Sequence, residues 1–173
     1  MGMTVSTESP HHDRSFRQFV DAHQAEVLRY LRRLTGNAAE AENLFQETFV
    51  RALPGFPRLR ANSNHWAWVY RIATNVFLNH RRSIRRCEEV PLGGDFRTRQ
   101  AQHDAALTKT AYRRDVARLP PRQRTAFIQR IVMGCSYQEI AAAMGGTQTA
   151  ARAHVSQALR RLRQRLIDPG AKR

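Results

Sequence analysis

Residues 136–165, SYQEIAAAMGGTQTAARAHVSQALRRLRQR, constrain this chain more than any other stretch. Ser136 and Glu139 stand three apart, the spacing of a capping box, in which hydroxyl and carboxylate satisfy backbone N–H donors left open at a helix start. Ile140, Ala141 and Met144 repeat at helical spacing. Gly145-Gly146 accepts positive φ, so the pattern predicts a helix that stops and turns there. Thr147 is a candidate cap for a following helix whose apolar stripe is Ala151, Val155, Leu159, Leu162 and Leu166. Between Thr147 and Leu166 stand five arginines (Arg152, Arg160, Arg161, Arg163, Arg165) and no acid. A short helix, a glycine turn and a longer helix with a basic free face make the sequence form of a helix-turn-helix that lies on DNA. An αα-hairpin with a solvated arginine face is the competing reading, and this stretch alone leaves both open.

Charge bears on that choice. The 173 residues carry 29 Lys+Arg against 14 Asp+Glu, a formal +15. Residues 91–173 hold 16 basic and 5 acidic side chains, and residues 1–90 hold 13 and 9. A basic half beside a nearly balanced one implies that the C-terminal part meets a polyanion while the N-terminal part does something further. No apolar run approaches ~18 residues, so no membrane insertion is expected. The first fifteen residues are polar, so no signal peptide is expected either, and the reading is cytoplasmic. Cys87 and Cys135 lie far apart with no CxxC or Cys/His metal spacing, which reads as two reduced thiols. The seven histidines form no HExxH set, and no GxxxxGK[ST], GxGxxG or GxSxG occurs. No metal, cofactor or catalytic apparatus is expected, and hence no enzyme.

Along the chain, residues 1–12 are polar and expected to be disordered. A helix is expected from about residue 13 to 35, with Phe16, Phe19, Val20, Val27, Leu28, Leu31 and Leu34 on its apolar face and Gly36 ending it. Asn37 and Glu40 repeat the cap-plus-three spacing before AAEAENLFQETFVRAL. In that helix Leu44, Phe49 and Leu53 share a face widened by Ala41, Phe45, Thr48 and Ala52. Glu40, Glu42, Asn43, Gln46 and Glu47 occupy the rest, an acidic face that suits either solubility or docking. Pro54 and Pro57 open a loop, and Asn62 or Ser63 is the expected cap of a third helix over about 64–86. There Val69, Ile72, Ala73, Val76 and His80 form the stripe expected to face the core. Trp66, Trp68, Tyr70 and Phe77 are interleaved with Arg71, Asn75, Asn79 and further arginines. Two tryptophans two apart cannot face one core on a helix. Rings among Arg and Asn would suit stacked, unpaired bases, although aromatics at helical spacing also build cores. Residues 87–101, CEEVPLGGDFRTRQA, lack helical period and read as a linker. Residues 102–118 form a further expected helix, which Leu119-Pro120-Pro121 breaks. RQRTAFIQRIVM follows, burying Ala126, Phe127, Ile131 and Val132. The fold expected is all-α: two small helical bundles (13–86 and 102–168) joined by a flexible linker, the second containing the helix-turn-helix, with a tail at 169–173.

Two separated segments in the same order, AEAENLFQETFVRA with WVYRIATN, and LPPRQRTAF with GCSYQEIAAAMG, resemble the bacterial RNA polymerase sigma factors of the extracytoplasmic-function (ECF) group. The first is close to the family's "AEDLVQETFLRA" and the second to its "LPPRQR…G.SYEEIA..LG". The resemblance covers most of residues 14–166, and the absence of a domain between the segments is what distinguishes this compact group. It implies core RNA polymerase (β′ clamp helices and β flap) and promoter DNA as partners, with an anti-sigma factor as a further candidate. Glu42, Asn43, Phe45, Gln46 and Glu47 fall where the family docks on the clamp helices. Arg60, Asn62, Asn64, Trp66, Arg71, Asn75 and Asn79 fall on the part that opens and reads the minus-ten element. Thr147, Arg152, His154, Ser156, Gln157 and Arg160 fall on the part that reads the minus-thirty-five duplex.

The chain also departs from the family pattern. Asn43 and Asn79 stand where Asp is usual, and His65 where Phe is favoured. Ala150, Ala151, His154 and Gln157 replace residues that are often Thr, Val, Arg and Arg. The position of the recognition helix is therefore carried over, but no family promoter sequence is. The rival readings are a free helix-turn-helix regulator, which leaves the acidic helix unexplained, and a sigma-like module that titrates an anti-sigma partner.

Overall fold

A computed structural model describes residues 10–60, 63–89 and 107–167. Seven α-helices carry the architecture: α1 (Pro10–Thr35), α2 (Ala38–Ala52), α3 (His65–Glu89), α4 (Leu107–Ala117), α5 (Pro121–Phe127), α6 (Tyr137–Met144) and α7 (Gln148–Ile167). No strand occurs among the described residues. Helix α1 starts at Pro10, inside the stretch expected to be disordered, and α3 runs to Glu89, into the expected linker. The remainder of that linker, Asn62, residues 1–9 and the tail lie outside the described residues.

The first bundle is α1–α3. Its core holds Val27, Leu31, Leu34, Leu44, Val69, Val76 and Phe77, each at most 2% exposed. Each such side chain contributes roughly 1.5–3 kcal/mol by leaving water. Asn37 caps α2 by accepting from Glu40 N–H (3.1 Å). The second half of a capping box does not form there, because the Glu40 carboxylate turns instead to Arg81 and His80, both at 3.2 Å. That pairing draws His80 to the rim of the bundle, away from the core stripe expected of it. Leu53 is a second correction. It is 52% exposed, because α2 gives way at that residue to a 3₁₀ turn, Leu53–Arg58, which leaves the α2 register. The cap of α3 is Asn64, whose Oδ1 accepts from Ala67 N–H at 2.9 Å, one residue beyond the expected pair.

The second bundle is α4–α7. Ser136 and Glu139 form the full capping box, at 2.7 and 3.2 Å. Hydrogen bonding to the Ser136 backbone and hydroxyl holds the Glu139 carboxyl below its ordinary range. Gly145 ends α6 in the left-handed region at φ 63°. Thr147 caps α7, accepting from Ala150 N–H at 3.2 Å. Between α5 and α6 the chain makes a π turn, Ile128–Val132, with Met133 N–H bonded to the Ile128 carbonyl at 3.2 Å. The wider turn rotates the following side chains. Ile128 and Gln129 go inward (2% and 3% exposed), while Ile131 and Val132, expected in the core, stand 54% and 40% exposed.

The two bundles pack on one another, α3 against α5 and α6, and α1 against α4 and α5. One apolar core runs through both, joining Phe127, Ile128, Ala158 and Leu162 to the α1–α3 residues. A second, smaller core (Ala126, Cys135, Ile140, Ala141, Met144, Ala151, Val155) holds the helix-turn-helix together. Cys135 is buried and Cys87 exposed, both as free thiols. Burial, with the nearby Glu139 charge, pushes the Cys135 thiol up.

Candidate nucleic-acid interface

Three surfaces carry the side chains of interest. On α2, Glu42, Asn43 and Gln46 are exposed and Glu47 half-exposed. Glu42 pairs with Arg32 at 3.2 Å and Glu47 with Arg51 at 2.6 Å, contacts in water that hold side-chain direction more than they stabilise. Phe45 turns toward the core instead, edge-on to Phe49 at 4.9 Å between centroids. Val50, 70% exposed, stands one turn after Gln46, with Leu53 beyond it. The acidic face thus continues into two bare apolar side chains, the usual anatomy of a docking surface. Sequence reasoning missed Val50 and placed Leu53 inside. The signal available was that Val50 lies at i+4 from Gln46.

On α3, Arg71, Asn75 and Asn79 repeat every four residues and are all exposed, one polar ridge along the helix. Exposed Arg82 and Arg86 extend the basic character of its C-terminal end. Arg60 is exposed, and its carbonyl lies 3.4 Å from His65 Nε2. The Asn64 side-chain oxygen is committed to its cap. The tryptophans diverge as their two-residue spacing demands. Trp68 lies against Phe19 (5.8 Å) and so close to Gly55 that a Cβ there would sit 3.1 Å from its ring. Trp66 stacks on Tyr70 at 4.1 Å, donates to Glu26 at 3.0 Å, and packs against the helix-turn-helix core.

On α7, Arg152, Ser156 and Arg160 are exposed. With Tyr137, Val155, Leu159, Arg163 and Gln164 they line a groove of about 420 Å³. The Arg152 guanidinium lies 5.2 Å from the Tyr137 ring centroid, and Arg130 lies 4.7 Å from it. Arg130 is held in turn by the Cys135 carbonyl at 2.9 Å. Tyr137, at the start of α6, therefore lies against an arginine of α7, a contact that sequence spacing does not reveal. The other two expected readers are engaged within the protein. Gln157 accepts from Gln123 of α5 at 2.8 Å. His154 is half-buried, and burial together with Arg122 pushes its pKa below the usual 6.5. Among the described residues no group of His, Cys, Asp or Glu could hold a metal ion, and no helix is long and apolar enough to cross a membrane.

Comparison with known proteins agrees with this geometry. Residues 19–87 match the family model of Sigma-70 region 2 and residues 111–162 that of Sigma-70, region 4. The chain is 34% identical over 140 residues to the ECF RNA polymerase sigma factor EcfG of Rhodopseudomonas palustris, covering 80% of this chain and 77% of EcfG. It is 31% identical over 160 residues to the ECF RNA polymerase sigma factor SigE of Mycolicibacterium smegmatis, covering 88% of this chain but only 62% of SigE. Among solved structures, the sigma factor RpoE of Bartonella quintana in complex with the anti-sigma factor NepR superposes with a TM-score of 0.73 at 26% identity, covering 88% of this chain and 97% of RpoE. Region 2 on the first bundle, region 4 on the second, and relatives above 30% identity across most of the chain place it in the family: it belongs to the ECF group of RNA polymerase sigma factors.

Proposed function

We propose that the chain docks on core RNA polymerase through α2, reads a minus-ten element with α3 and the turn before it, and reads a minus-thirty-five duplex with α7. The observation that carries this is the pairing of an acidic, apolar-tipped α2 face with two separate basic faces in one small chain. A free DNA-binding regulator needs only the last of these. The α2 set is Glu42, Asn43, Gln46 and Glu47, with Val50 and Leu53 as the apolar part and Phe45 supporting from beneath. The β′ clamp helices are its partner, and the β flap is a partner for the second bundle.

Arg60, Asn62, Asn64, Trp66, Arg71, Asn75 and Asn79 are the minus-ten candidates, of which Arg71, Asn75 and Asn79 form the ridge best placed for DNA. Strand opening needs no catalysis by this chain, so it is not an enzyme. Each unstacked base that finds an aromatic or similar face recovers ~1–3 kcal/mol and so offsets melting. On α7, Arg152, Ser156 and Arg160 are the side chains available for bases and phosphates. Thr147 serves as a cap, and His154 and Gln157 shape the helix face from within.

RpoE is bound by an anti-sigma factor in its structure, and that supports an anti-sigma partner for this chain as well. The site of action is the cytoplasm, where polymerase works. The docking assignment is tested by measuring affinity for purified sigma-free core polymerase. Gln46→Ala with Glu47→Arg should weaken it at least tenfold with unchanged helicity. Equal affinity for both proteins would remove α2 from the interface.

A further inference from the structure

Two α7 side chains that the sequence marked as readers turn toward α5, and one of them is tied there. Arg152, Ser156 and Arg160 stand four apart, all exposed, and form one ridge. Gln157 follows Ser156, about 100° further round the helix, on the flank between that ridge and α5. Its Oε1 accepts from Nε2 of Gln123 at 2.8 Å. Gln123 is 8% exposed, and its own Oε1 is buried with no hydrogen-bond partner in the protein. His154 turns the same way, half-buried beside Arg122 of α5. Gln123 has little room to move outward with Gln157. Pro121 fixes the start of α5, and Thr125, Ala126 and Phe127 are buried just after it.

A glutamine reads adenine by using both halves of its amide at once, the oxygen toward N6–H and the N–H toward N7. With Oε1 committed to Gln123, only an N–H remains for DNA. A lone donor selects little, since guanine, adenine N7, thymine and phosphate all offer it an acceptor. To read in full, Gln157 must leave α5, and Gln123 would then bury two unpaired amide groups where it now buries one. The penalty for such a group covers the same range as the discrimination a good bidentate pair supplies, about five- to 150-fold. The two offset each other, and Gln157 stays on α5.

We propose that buried Gln123 sets minus-thirty-five selectivity by holding Gln157 off the bases, so that the Arg152–Ser156–Arg160 ridge alone chooses among them. This rests on the promoter reading above. Gln123 is then a positioning residue, acting on DNA only through the side chain it restrains.

The test uses the full chain in holoenzyme with sigma-free core polymerase, on a transcribed promoter randomised across its upstream element. Sequencing of the bound fragments reads base preference position by position. Wild type and Gln157→Ala should agree within about twofold everywhere, while Arg152→Ala loses preference at its own position. Gln123→Met, which keeps side-chain length without the amide, should add a preference for adenine of about fivefold or more at one position. That preference should vanish when Gln157→Ala is combined with it. Proton exchange followed by NMR on the free chain checks the tie itself: the Gln123 Nε2 protons should exchange slowly in wild type and fast in Gln157→Ala. A changed preference in Gln157→Ala alone, fast Gln123 exchange in wild type, or no Gln157-dependent preference in Gln123→Met overturns the proposal. Because Gln157→Ala leaves α5 intact, it decides the matter even if Gln123→Met fails to fold. No transcription and no core binding by the wild type would overturn the promoter reading itself, and this proposal with it.

Discussion

Among single residues, some side chains off the proposed DNA face hold others that are on it. Tyr137 lies off the recognition helix, yet both Arg130 and Arg152 lie over its ring. A cation over an aromatic face at an exposed site is worth ~0.5–1 kcal/mol, and an arginine so held loses less freedom when it meets a base. Tyr137→Ala should therefore lower affinity for a minus-thirty-five duplex about two- to fivefold. It should also flatten discrimination among base changes that Arg152 senses, while Tyr137→Phe keeps both. Titration of duplex variants by fluorescence anisotropy reads this, and equal selectivity in Tyr137→Ala would show that Arg152 needs no support.

His154, half-buried on α7, bears on stability instead. Its folded pKa lies below the ordinary 6.5, so the unfolded chain takes up the proton first as pH falls. Stability should drop on going from pH 7.5 through 6.5 toward the folded pKa and level off below it. Thermal melting at pH 7.5 and 5.5 should show a smaller difference for His154→Gln than for wild type.

At the scale of elements, the caps and turns are local, and most were legible for that reason. The capping box, the Gly145 stop and the Thr147 cap each depend on residues within four of one another. Gly145→Ala forces a side chain into the left-handed region and should cost about 1–2 kcal/mol, seen as a lower denaturant midpoint with the slope unchanged. A neutral result would mean that α6 ends by some other device.

The elements that escaped were those decided by distant packing. Ile131 and Val132 fit a helical stripe, but a π turn places Gln129 in the seam and moves them outward. Leu53 fits the α2 stripe until Pro54 converts the chain to a 3₁₀ turn. Trp66 and Trp68 were known to diverge, but nothing in their spacing says that Trp66 faces the other bundle. Periodicity reports which face is apolar and cannot report what covers it.

At the scale of the whole molecule, two bundles and a lopsided charge were readable from composition, whereas their closure was not. Gln129 and Tyr30 are 99 residues apart, and polar side chains carry no pattern that announces a buried partner. Charge and helical spacing singled out the acidic α2 face and the α7 arginines, and the family pattern then suggested a role for each. The exposed Val50 and the ring beneath Arg152 emerged only from the fold.

The three surfaces are proposed to serve one act, promoter-directed initiation. In-vitro transcription measures that most directly: the purified chain is added to sigma-free core polymerase on fragments of the host genome, and transcript starts are mapped. Discrete starts that depend on the chain, share two spaced upstream elements and weaken with Arg152→Ala are the result expected. Tight duplex binding by the chain with no dependent starts and no association with core would contradict the account.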